Sequence, residues 1–405
     1  MSEQPAASYR AETFKCPQCG APRLEYDPAG GGLKCPQCGY TRAIAAEQKA
    51  VNERDLTAVL SDAGKARGYG RETKSVNCKN CGATTQMDPS VVSTQCPFCG
   101  STQVLEQKPD PNIVQPESLI PFQLTSDRAY DNYRKWLGKG FFRPRGVLKQ
   151  SGSTQIQGVY LPFWTFDAHA ESRWTAESGD YYYETEEYTT VEDGKTVRKT
   201  RQVQKVRWYP TSGHHSDDYD DVLVSGTTSG DQKMLQKIYP FDTSKLVPYQ
   251  PQYLSGWAAE AYRIPLGDAW QQGQGIIGDD ERGKCDRQVP GDTHRSLDVR
   301  TQLSDTTFKH VLLPVFLANY RYNSKPYQFM VNGQTGEVQG QAPVDWVKVA
   351  IVVVIALAIL LAVAYFVLSH PSSGGSGQGL LPAIRFSWAT LSAHVGLAST
   401  PPLLL

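Results

Sequence analysis

The sequence has no excess of charge of either sign. It carries 41 Lys and Arg against 41 Asp and Glu, and the cysteine-rich stretch 1–108 holds 13 basic and 11 acidic residues. A protein dedicated to binding duplex nucleic acid usually has a basic excess, because phosphate neutralisation supplies much of its affinity. The balanced charge argues against that class, although it leaves room for a small local basic patch.

Two further segments are missing or incomplete. The N-terminal stretch 1–15, MSEQPAASYRAETFK, contains no apolar run, so we expect no signal peptide. The stretch 193–196, DGKT, ends like a phosphate-binding loop, but Thr189 stands where that loop requires its first glycine. We therefore expect no nucleotide site.

Cysteine is scarce outside one pattern. Eight of the nine cysteines lie in four CxxC pairs, and the ninth, Cys285, stands alone. The disulfide framework of a small secreted protein would be shorter and its cysteines more evenly scattered. We therefore expect thiols kept reduced in a cytoplasm.

The four pairs form two similar units, CPQCGAPRLEYDPAGGGLKCPQCG (16–39) and CKNCGATTQMDPSVVSTQCPFCG (78–100). Each CxxC turn brings two thiolates to one metal ion, and the glycine after each pair permits the positive φ that closes the turn. Four thiolates in a tetrahedron are a ligand set of structural zinc. We predict two Zn²⁺ ions, with the ligands Cys16, Cys19, Cys35, Cys38, Cys78, Cys81, Cys96 and Cys99.

The predicted zinc is structural, because four protein ligands leave no open position for a catalytic water. Zinc replaces the core that a unit of about thirty residues cannot build, and it makes each unit a rigid knob. We predict ribbons at 13–42 and 71–108. Between them, AIAAEQKAVNERDLTAVLSDA (43–63) predicts a helix, which is either a partner-binding helix or a solvated linker.

An uncharged apolar stretch, VAIVVVIALAILLAVAYFVL, occupies residues 349–368. A helix of this length rises about 30 Å, the thickness of the bilayer hydrocarbon. Trp346 lies just before the stretch, where an interfacial anchor belongs. We predict one transmembrane helix, 346–369, with the thiol-rich N-terminal region in the cytoplasm. The stretch 370–405 is a flexible tail with no assigned role.

The stretch 109–345 predicts a β-rich α+β body. SDRAYDNYRKWL (126–137) has the pattern of an N-capped helix. The Asp-Gly pair at 193–194, between two strand-like runs, predicts a hairpin that places Glu186 opposite Arg201 and Asp180 opposite Arg207. The charges then cross the hairpin as opposites, which supports this register.

Two segments of the body resemble each other. LPFWTFDAHA (161–170) recurs loosely as LPVFLANYRY (313–322), which predicts an internal duplication of a β unit. Between the copies, DQKMLQKIYP (231–240) and YLSGWAAEAYRI (253–264) have the pattern of helices.

Polar clusters in the body leave alternatives open. His214 and His215 precede several aspartates, and we interpret this stretch as a solvated loop, with a metal site as the alternative. The alternative for Cys285 is a nucleophile activated by a base. The other members of these two groups are Asp217, Asp218, Asp220, Asp221, Asp286, Asp292 and His294. Neither group has the context that catalysis requires, and we predict no catalytic or cofactor-binding residues.

Four tyrosines lie along one predicted strand. Because strand side chains alternate between faces, we expect half of them to be core residues, with a peptide-binding face as the alternative. They are Tyr181, Tyr182, Tyr183 and Tyr188.

The CxxC units and four later motifs together resemble a bacterial family over about residues 13–369. The later motifs are GVYLPFWTFDA (158–168), LVPYQPQYLSGWAAEAY (246–262), TFKHVLLPVFLANYRY (307–322) and YQFMVNGQTGEVQGQAP (327–343). Members are called TFIIB-type zinc-ribbon proteins or likened to the helicase primosomal protein N′. The resemblance implies a membrane-anchored ribbon protein found beside phage-shock (PspA-like) and SPFH-domain membrane-stress proteins. Without a complete phosphate-binding loop, helicase activity is not expected.

The sequence thus predicts an α+β protein with ribbons at 13–42 and 71–108, a helical linker at 43–70, a body at 109–345 and a membrane span at 346–369. We expect a non-enzymatic, single-pass inner-membrane adaptor that docks cytoplasmic proteins, in envelope stress as the resemblance implies. The alternative is a membrane-tethered protein that binds nucleic acid or the transcription and replication apparatus. Its contacts would be Arg23, Lys34, Arg42, Lys74 and Lys79.

Overall fold

The computed structural model divides the chain into two compact units, Met1–Asp345 and Trp346–Leu405. Within its described part the chain is α+β, with a sheet-rich first unit and one apolar helix near the C-terminus, as the sequence predicts. The described residues are 14–45, 53–61, 74–87, 96–98, 104–107, 114–144, 146–150, 156–192, 195–323 and 325–369.

The strands form one small sheet and one large sheet of 12 strands. The small sheet contains β1 (Glu25–Asp27), β2 (Gly32–Lys34) and β3 (Thr41–Ala43). The large sheet contains β4 (Arg54–Asp55), β5 (Lys74–Cys78), β6 (Thr84–Met87), β7 (Val104–Gln107), β8 (Ser118–Leu119), β9 (Gln157–Glu192), β10 (Lys195–Ser225), β11 (Val247–Pro248), β12 (Ala258–Glu260), β13 (Thr293–Tyr322), β14 (Lys325–Asn332) and β15 (Val338–Gly340).

The helices cover the sheet and form the apolar C-terminal segment. They are α1 (Leu56–Ser61), α2 (Ser126–Gly138), α3 (Val147–Gln150), α4 (Gln232–Lys237), α5 (Leu266–Gln288) and α6 (Trp346–Ser369). Two short 3₁₀ turns, Thr243–Lys245 and Pro251–Leu254, connect elements of the body.

Three strands are much longer than the others: β9 has 36 residues, β10 has 31 and β13 has 30. Strand β9 lies between β10 and β13 and is antiparallel to both. At about 3.3 Å per residue, its contour length is on the order of 120 Å. This central strand therefore passes through very different surroundings.

The burial of β9 changes in three steps along its length. Residues 159–166 are buried without interruption, residues 167–178 alternate in burial, and none of residues 180–191 is buried. Helix α5 covers the alternating part, where Ile277 packs with Ala170 and Cys285 packs with Trp174. Strand β9 thus begins in the core, where both of its faces are covered, and ends in a part of the β9–β10 hairpin where neither face is covered.

The two similar segments lie side by side, because β9 pairs with β13 and Leu161 lies opposite Leu313. Strand β8 runs parallel to β13, and β12 runs parallel to β9. Along the chain, β8, α2, β9 and β10 follow the same order of strand, helix and hairpin as β12, α5, β13 and β14. Helix α3 lies between α2 and β9 and has no counterpart between α5 and β13, and the duplication stays a prediction.

Three of the local predictions are confirmed. Helix α2 begins after Thr125, whose side chain accepts a hydrogen bond from the Arg128 amide, and α4 lies within the predicted 231–240 segment. The β9–β10 hairpin has the predicted register, with Glu186 opposite Arg201 and Asp180 opposite Arg207. Its turn, 193–194, lies outside the described residues.

The predicted helix at 253–264 is wrong. This segment ends the 3₁₀ turn Pro251–Leu254 and then forms β12, which pairs with β9 on one side and β6 on the other. Gly256, at φ 84°, separates the two parts. Strand edges on both sides supply backbone hydrogen bonds, and these override the local preference of the alanine-rich segment for helix.

The predicted helix at 43–63 is also shorter than expected in its described part. Residue 43 ends β3, residues 54–55 form β4 beside β13, and only α1 is helical. Arg54 donates to Glu117 at 2.8 Å, and Leu56 is buried. This segment therefore packs on the body instead of standing free as a linker, while 46–52 and 62–73 lie outside the described residues.

Candidate metal centres

Four cysteines meet at one point beside the small sheet. The Sγ atoms of Cys16, Cys19, Cys35 and Cys38 all lie within 4.8 Å of one another. Sγ–Sγ distances are 3.6 Å for Cys16–Cys38 and 3.6 Å for Cys19–Cys35. A disulfide needs about 2.05 Å, whereas thiolates bound at about 2.3 Å around a tetrahedral zinc lie roughly 3.8 Å apart. The geometry fits a metal ion and not a disulfide.

Each described knuckle closes through its glycine. The Gly20 amide donates to the Cys16 carbonyl at 3.0 Å, and the Gly39 amide donates to the Cys35 carbonyl at 3.0 Å. Gly20, Gly39 and Gly82 have φ values of 72°, 76° and 76°. Only glycine adopts this conformation without steric cost, so the predicted role of these three glycines is confirmed. Gly100, after the fourth pair, lies outside the described residues.

A second group of cysteines lies at the end of β5. Its described members, Cys78, Cys81 and Cys96, have Sγ atoms within 4.8 Å of one another, and Cys81 and Cys96 are 3.7 Å apart. The predicted fourth ligand, Cys99, lies outside the described residues. Both cysteine groups can therefore hold a metal ion.

The first cysteine group is fastened to the body. The Tyr26 amide donates to the Ser255 carbonyl at 2.9 Å, and the Trp257 indole donates to the Tyr26 carbonyl at 3.2 Å. Leu24 and Leu33 are fully buried in the same apolar cluster as Tyr160 of β9. The small sheet is therefore part of the main core and not a knob that stands apart from it.

The second cysteine group is continuous with the large sheet. Strand β6 pairs with β5 on one side and with β12 of the body on the other. Asn319 of β13 donates to the Pro97 carbonyl at 3.3 Å, and Phe98 is buried against the body. A metal held by these cysteines would stabilise the edge of the main sheet directly.

A third candidate group contains His215 and Asp217 of β10 with Glu281 of α5. The interpretation of His214 and His215 as a solvated loop is wrong, because both lie in β10 and pair with β9. The His215 Nε2 atom is 3.8 Å from Glu281 Oε1 and 4.0 Å from Asp217 Oδ2. Glu281 was not identified from the sequence, and it is fully buried.

Neighbouring side chains already satisfy these carboxylates. Tyr219 and Ser172 donate hydroxyl protons to Glu281 at 2.8 and 2.6 Å, and Lys284 forms ion pairs with Asp217 and with Asp280, the latter at 2.7 Å. The Lys284 ammonium also lowers the pKa of Asp217. The Lys284 ammonium thus supplies the positive charge that a metal would bring. The same hydrogen bonds and ion pairs join α5 to strands β9 and β10.

A fourth group is likewise built around a lysine. Lys309 of β13 is 5% exposed and forms ion pairs with Asp221 at 2.8 Å, Glu53 at 3.2 Å and Asp167 at 3.7 Å. A buried ammonium with several carboxylate partners is the arrangement that offsets its desolvation. The group is a structural ion cluster.

The alternative of Cys285 as a nucleophile finds no geometric support. Cys285 lies on the buried side of α5, packed against Trp174 and Ala176 of β9, and burial raises the pKa of its thiol. A nucleophilic cysteine needs the opposite shift, because the thiolate is the reactive form. His294 forms its short contact with Asp286, at 2.8 Å.

The expectation that half of the four tyrosines are core residues is wrong. Tyr181, Tyr183 and Tyr188 are 45%, 63% and 40% exposed, and Tyr182 is half-buried beneath the Arg207 guanidinium. The alternation rule assumes one covered face, and this part of the hairpin has no covered face among the described residues.

Helix α6 is the one helix in the described part of the chain that is long and apolar enough to cross a membrane. The candidate span is Trp346–Phe366, which has 21 residues.

Comparison with known proteins finds one similar chain of unassigned role. The protein is similar to "Uncharacterized protein YdjG" of Bacillus subtilis (strain 168), with 28% identity in an alignment over 334 residues. The alignment covers 68% of this chain and 92% of the relative. No family model and no solved structure matches the chain.

Proposed function

We propose that this protein is a non-enzymatic scaffold of the bacterial inner membrane, anchored by α6 with its N-terminal unit in the cytoplasm. In this proposal it belongs to the membrane-anchored twin zinc-ribbon family that its motifs resemble. The observation that carries the proposal is the pair of cysteine groups fastened into a large β-rich unit, followed by an apolar helix. Such a unit has the rigidity that a docking platform needs, because a preorganised surface loses little entropy on binding.

Zinc is the metal that the donor set favours. Thiolates select soft or borderline ions, and the sulfur separations near 3.6 Å match a tetrahedral zinc of about 3.8 Å edge. In the proposal each site has four cysteine ligands, with Cys99 completing the second. A site closed in this way binds no substrate, so its role is to fix the knuckles.

The charges around the first site favour a protein partner over nucleic acid. Arg23 is paired with Glu25 at 2.6 Å, and Lys34 lies 3.7 Å from Asp27. Arg42 lies over the Phe14 ring. Basic side chains that already face carboxylates contribute little to phosphate binding, since each phosphate contact needs an available cation.

The partners that we propose are PspA-like and SPFH-domain membrane-stress proteins, on the basis of the family resemblance. The test is capture of the affinity-tagged full-length chain from native membranes in mild detergent, with and without nuclease, followed by quantitative mass spectrometry. A matched bait carries Gln37→Glu and Lys79→Glu, two exposed knuckle positions that are not metal ligands.

We expect nuclease-resistant enrichment of PspA-like or SPFH-domain proteins that weakens with the knuckle variant, while both baits keep equal zinc. Enrichment of polymerase or replication proteins that nuclease abolishes would contradict the proposal and favour the nucleic-acid alternative. Recovery of the chain outside the membrane fraction would contradict the anchor separately.

A further inference from the structure

The outer part of the β9–β10 hairpin forms a two-stranded arm, residues 180–192 and 195–207. Strand β13 begins at Thr293, opposite Gly179, so the arm has only two strands in the described part of the chain. None of its residues with an assigned burial is buried. A two-stranded ribbon without a covering layer is marginally stable in water, so this arm is suited to pairing with a further strand.

Both long edges of the arm carry backbone groups in a regular pattern. The Tyr181 amide points outward and donates to the Asp292 carboxylate at 2.8 Å, and the Gly179 carbonyl accepts from the Asp292 amide at 2.9 Å. Because backbone amides and carbonyls alternate in direction along a strand, the odd-numbered residues from Tyr183 to Val191 point their amides and carbonyls to the same outer edge as Tyr181. The residues paired with them on β10, which are the even-numbered residues from Thr196 to Gln204, point their amides and carbonyls to the opposite outer edge of the arm.

One face of the arm carries a row of acidic residues on one strand and a row of basic residues on the other. Lys205 contacts Glu184 at 2.6 Å and Glu186 at 3.3 Å, and Arg201 contacts Glu186 at 3.3 Å. The acidic row on β9 is Asp180, Glu184 and Glu186, and the basic row on β10 is Lys195, Lys199, Arg201, Lys205 and Arg207. The two edges of the arm are therefore complementary in charge.

We propose that the arms of neighbouring copies of this chain pair edge to edge, with β9 of one copy beside β10 of the next. This arrangement continues the antiparallel sheet and the order of acidic and basic rows. Pairing β9 with β9, or β10 with β10, would place like charges opposite one another, which is unfavourable.

The pairing is heterologous, because each copy uses a different edge toward each neighbour. Such contacts extend into a row or close into a ring rather than stop at a dimer. Successive copies are related by a sideways step, so their arms all point the same way. The other face of the arm carries Tyr181, Tyr183, Thr185 and Gln202, with Glu187 and Arg198 as its charged residues, and it forms a common surface along the row.

A charge-exchanged arm tests this arrangement. The variant carries Glu184→Lys, Glu186→Arg, Arg201→Glu and Lys205→Glu, which keep opposite charges across the hairpin and leave the net charge unchanged. Full-length chains labelled with ¹⁴N or ¹⁵N are mixed in mild detergent and coupled with a carbodiimide, which joins carboxylates to lysine amines. Mass spectrometry then identifies cross-links between chains of different label.

In wild-type mixtures we expect cross-links between chains that join β9 carboxylates to β10 lysines. In mixtures of the variant with itself, we expect cross-links that join the lysine introduced at position 184 of β9 to the carboxylates introduced at positions 201 and 205 of β10. In wild type mixed with variant, like charges oppose one another at the four exchanged positions, so cross-links between chains should fall about tenfold. Cross-links confined to single chains would overturn the proposal. Equal cross-linking in all three mixtures would overturn it too, since association through α6 alone does not depend on the arm.

A second pair of variants tests the backbone contacts. Thr185→Pro with Thr189→Pro removes two outward amides and leaves the inner ladder of the hairpin, since edge positions tolerate proline. Thr185→Ala with Thr189→Ala keeps both amides. We expect the proline pair to reduce the cross-links between chains and the alanine pair to preserve them, and an equal effect of both pairs would contradict edge pairing.

Discussion

The two ends of β9 have the same backbone conformation and opposite surroundings. Residues 159–166, with the sequence VYLPFWTF, are buried on both faces, whereas residues 180–191, which begin DYYYETEEY, are buried on neither. A continuous apolar run is the pattern of a strand covered on both faces, and a run of charged and polar residues cannot be covered without large desolvation costs. Composition, and not strand propensity, decides where the core ends.

The middle of β9 shows the intermediate case. In residues 167–178, buried Ala170, Ser172 and Trp174 alternate with exposed neighbours because α5 covers only one face. One strand thus contains the three burial patterns that strands adopt in proteins, in the order core, surface and arm. Substitutions placed along it should show how strongly each part contributes to stability.

The largest expected effect comes from removing metal from the core end. Cys35→Ser should lower the bound zinc from two ions per chain to one and abolish hydrogen-exchange protection in β1–β3, because folding of such knuckles depends on the metal. The arm should exchange as in wild type. The control is Cys285→Ser, which alters a cysteine outside both groups and should keep two ions. Unchanged protection in β1–β3 after the loss of zinc would contradict this prediction.

The next effect compares two aromatic residues of β9. Trp164 is fully buried and its indole donates to the Ile264 carbonyl at 3.0 Å, so Trp164→Ala should lower the free energy of unfolding by about 3–5 kcal/mol. Tyr183 is 63% exposed, and Tyr183→Ala should cost less than about 0.5 kcal/mol. Denaturant unfolding in mild detergent, followed by circular dichroism, measures both. Similar losses would contradict the burial gradient.

The same comparison applies to ion pairs. Lys309→Met removes the ammonium from three carboxylates in the body and should cost about 3–5 kcal/mol, because buried negative charge is left uncompensated. Arg201→Met, in the exposed arm, should cost about 0–1 kcal/mol. Unfolding midpoints at neutral pH report both changes, and a larger loss from the arm variant would reverse the account.

The smallest effect in this series concerns pH. Burial raises the pKa of Glu260 to about 7, above its ordinary 4.5. The folded state therefore retains a proton that the unfolded state releases, so this contribution to stability is present below pH 4.5 and is lost as pH rises to about 7. Through Glu260, the wild type should lose up to ~3 kcal/mol of unfolding free energy over this pH range. Glu260→Gln should not show this loss, because glutamine does not titrate.

The pH test uses the difference in unfolding free energy between wild type and Glu260→Gln, measured from pH 4.5 to 8. Glu117 and His310 also change protonation close to this pH range, and their contributions to the unfolding free energy cancel in this difference. Burial raises the pKa of Glu117 to about 7 and lowers the pKa of His310 to about 4, and the His310 contribution is lost as pH falls. A difference that does not change with pH would contradict the assigned burial of Glu260.

Local sequence signals predicted the features that depend on local contacts. The Asp-Gly pair and the opposite charges of the two strands predicted the hairpin register, and the CxxC-Gly pattern predicted three positive φ angles that the structure contains. The α+β class also follows from the sequence. The arm was foreseen as a hairpin, but its exposure on both faces depends on where β13 begins, which no local signal reports.

Helix α5 was missed because its buried stripe is not apolar in the usual way. The stripe recurs every four residues as Ala269, Gly273, Ile277, Glu281 and Cys285. The glycine allows close packing, since a Cβ at Gly273 would lie 3.0 Å from the Phe166 ring. Small and polar residues at four-residue spacing were the available signal, and recognising it would also have identified Glu281. Its partners Ser172 of β9 and Tyr219 of β10 lie 109 and 62 residues away along the chain, so their contact depends on tertiary structure.

The most direct test of the account is the metal content of the full-length protein purified from the membrane fraction, measured by native mass spectrometry in mild detergent. The account predicts two zinc ions per chain, retained after mild chelation. A third ion would identify the His215, Asp217 and Glu281 group as a metal site, which contradicts its assignment to Lys284. One ion, or none, in a folded membrane-bound chain would contradict the central claim that two closed zinc sites hold this scaffold together.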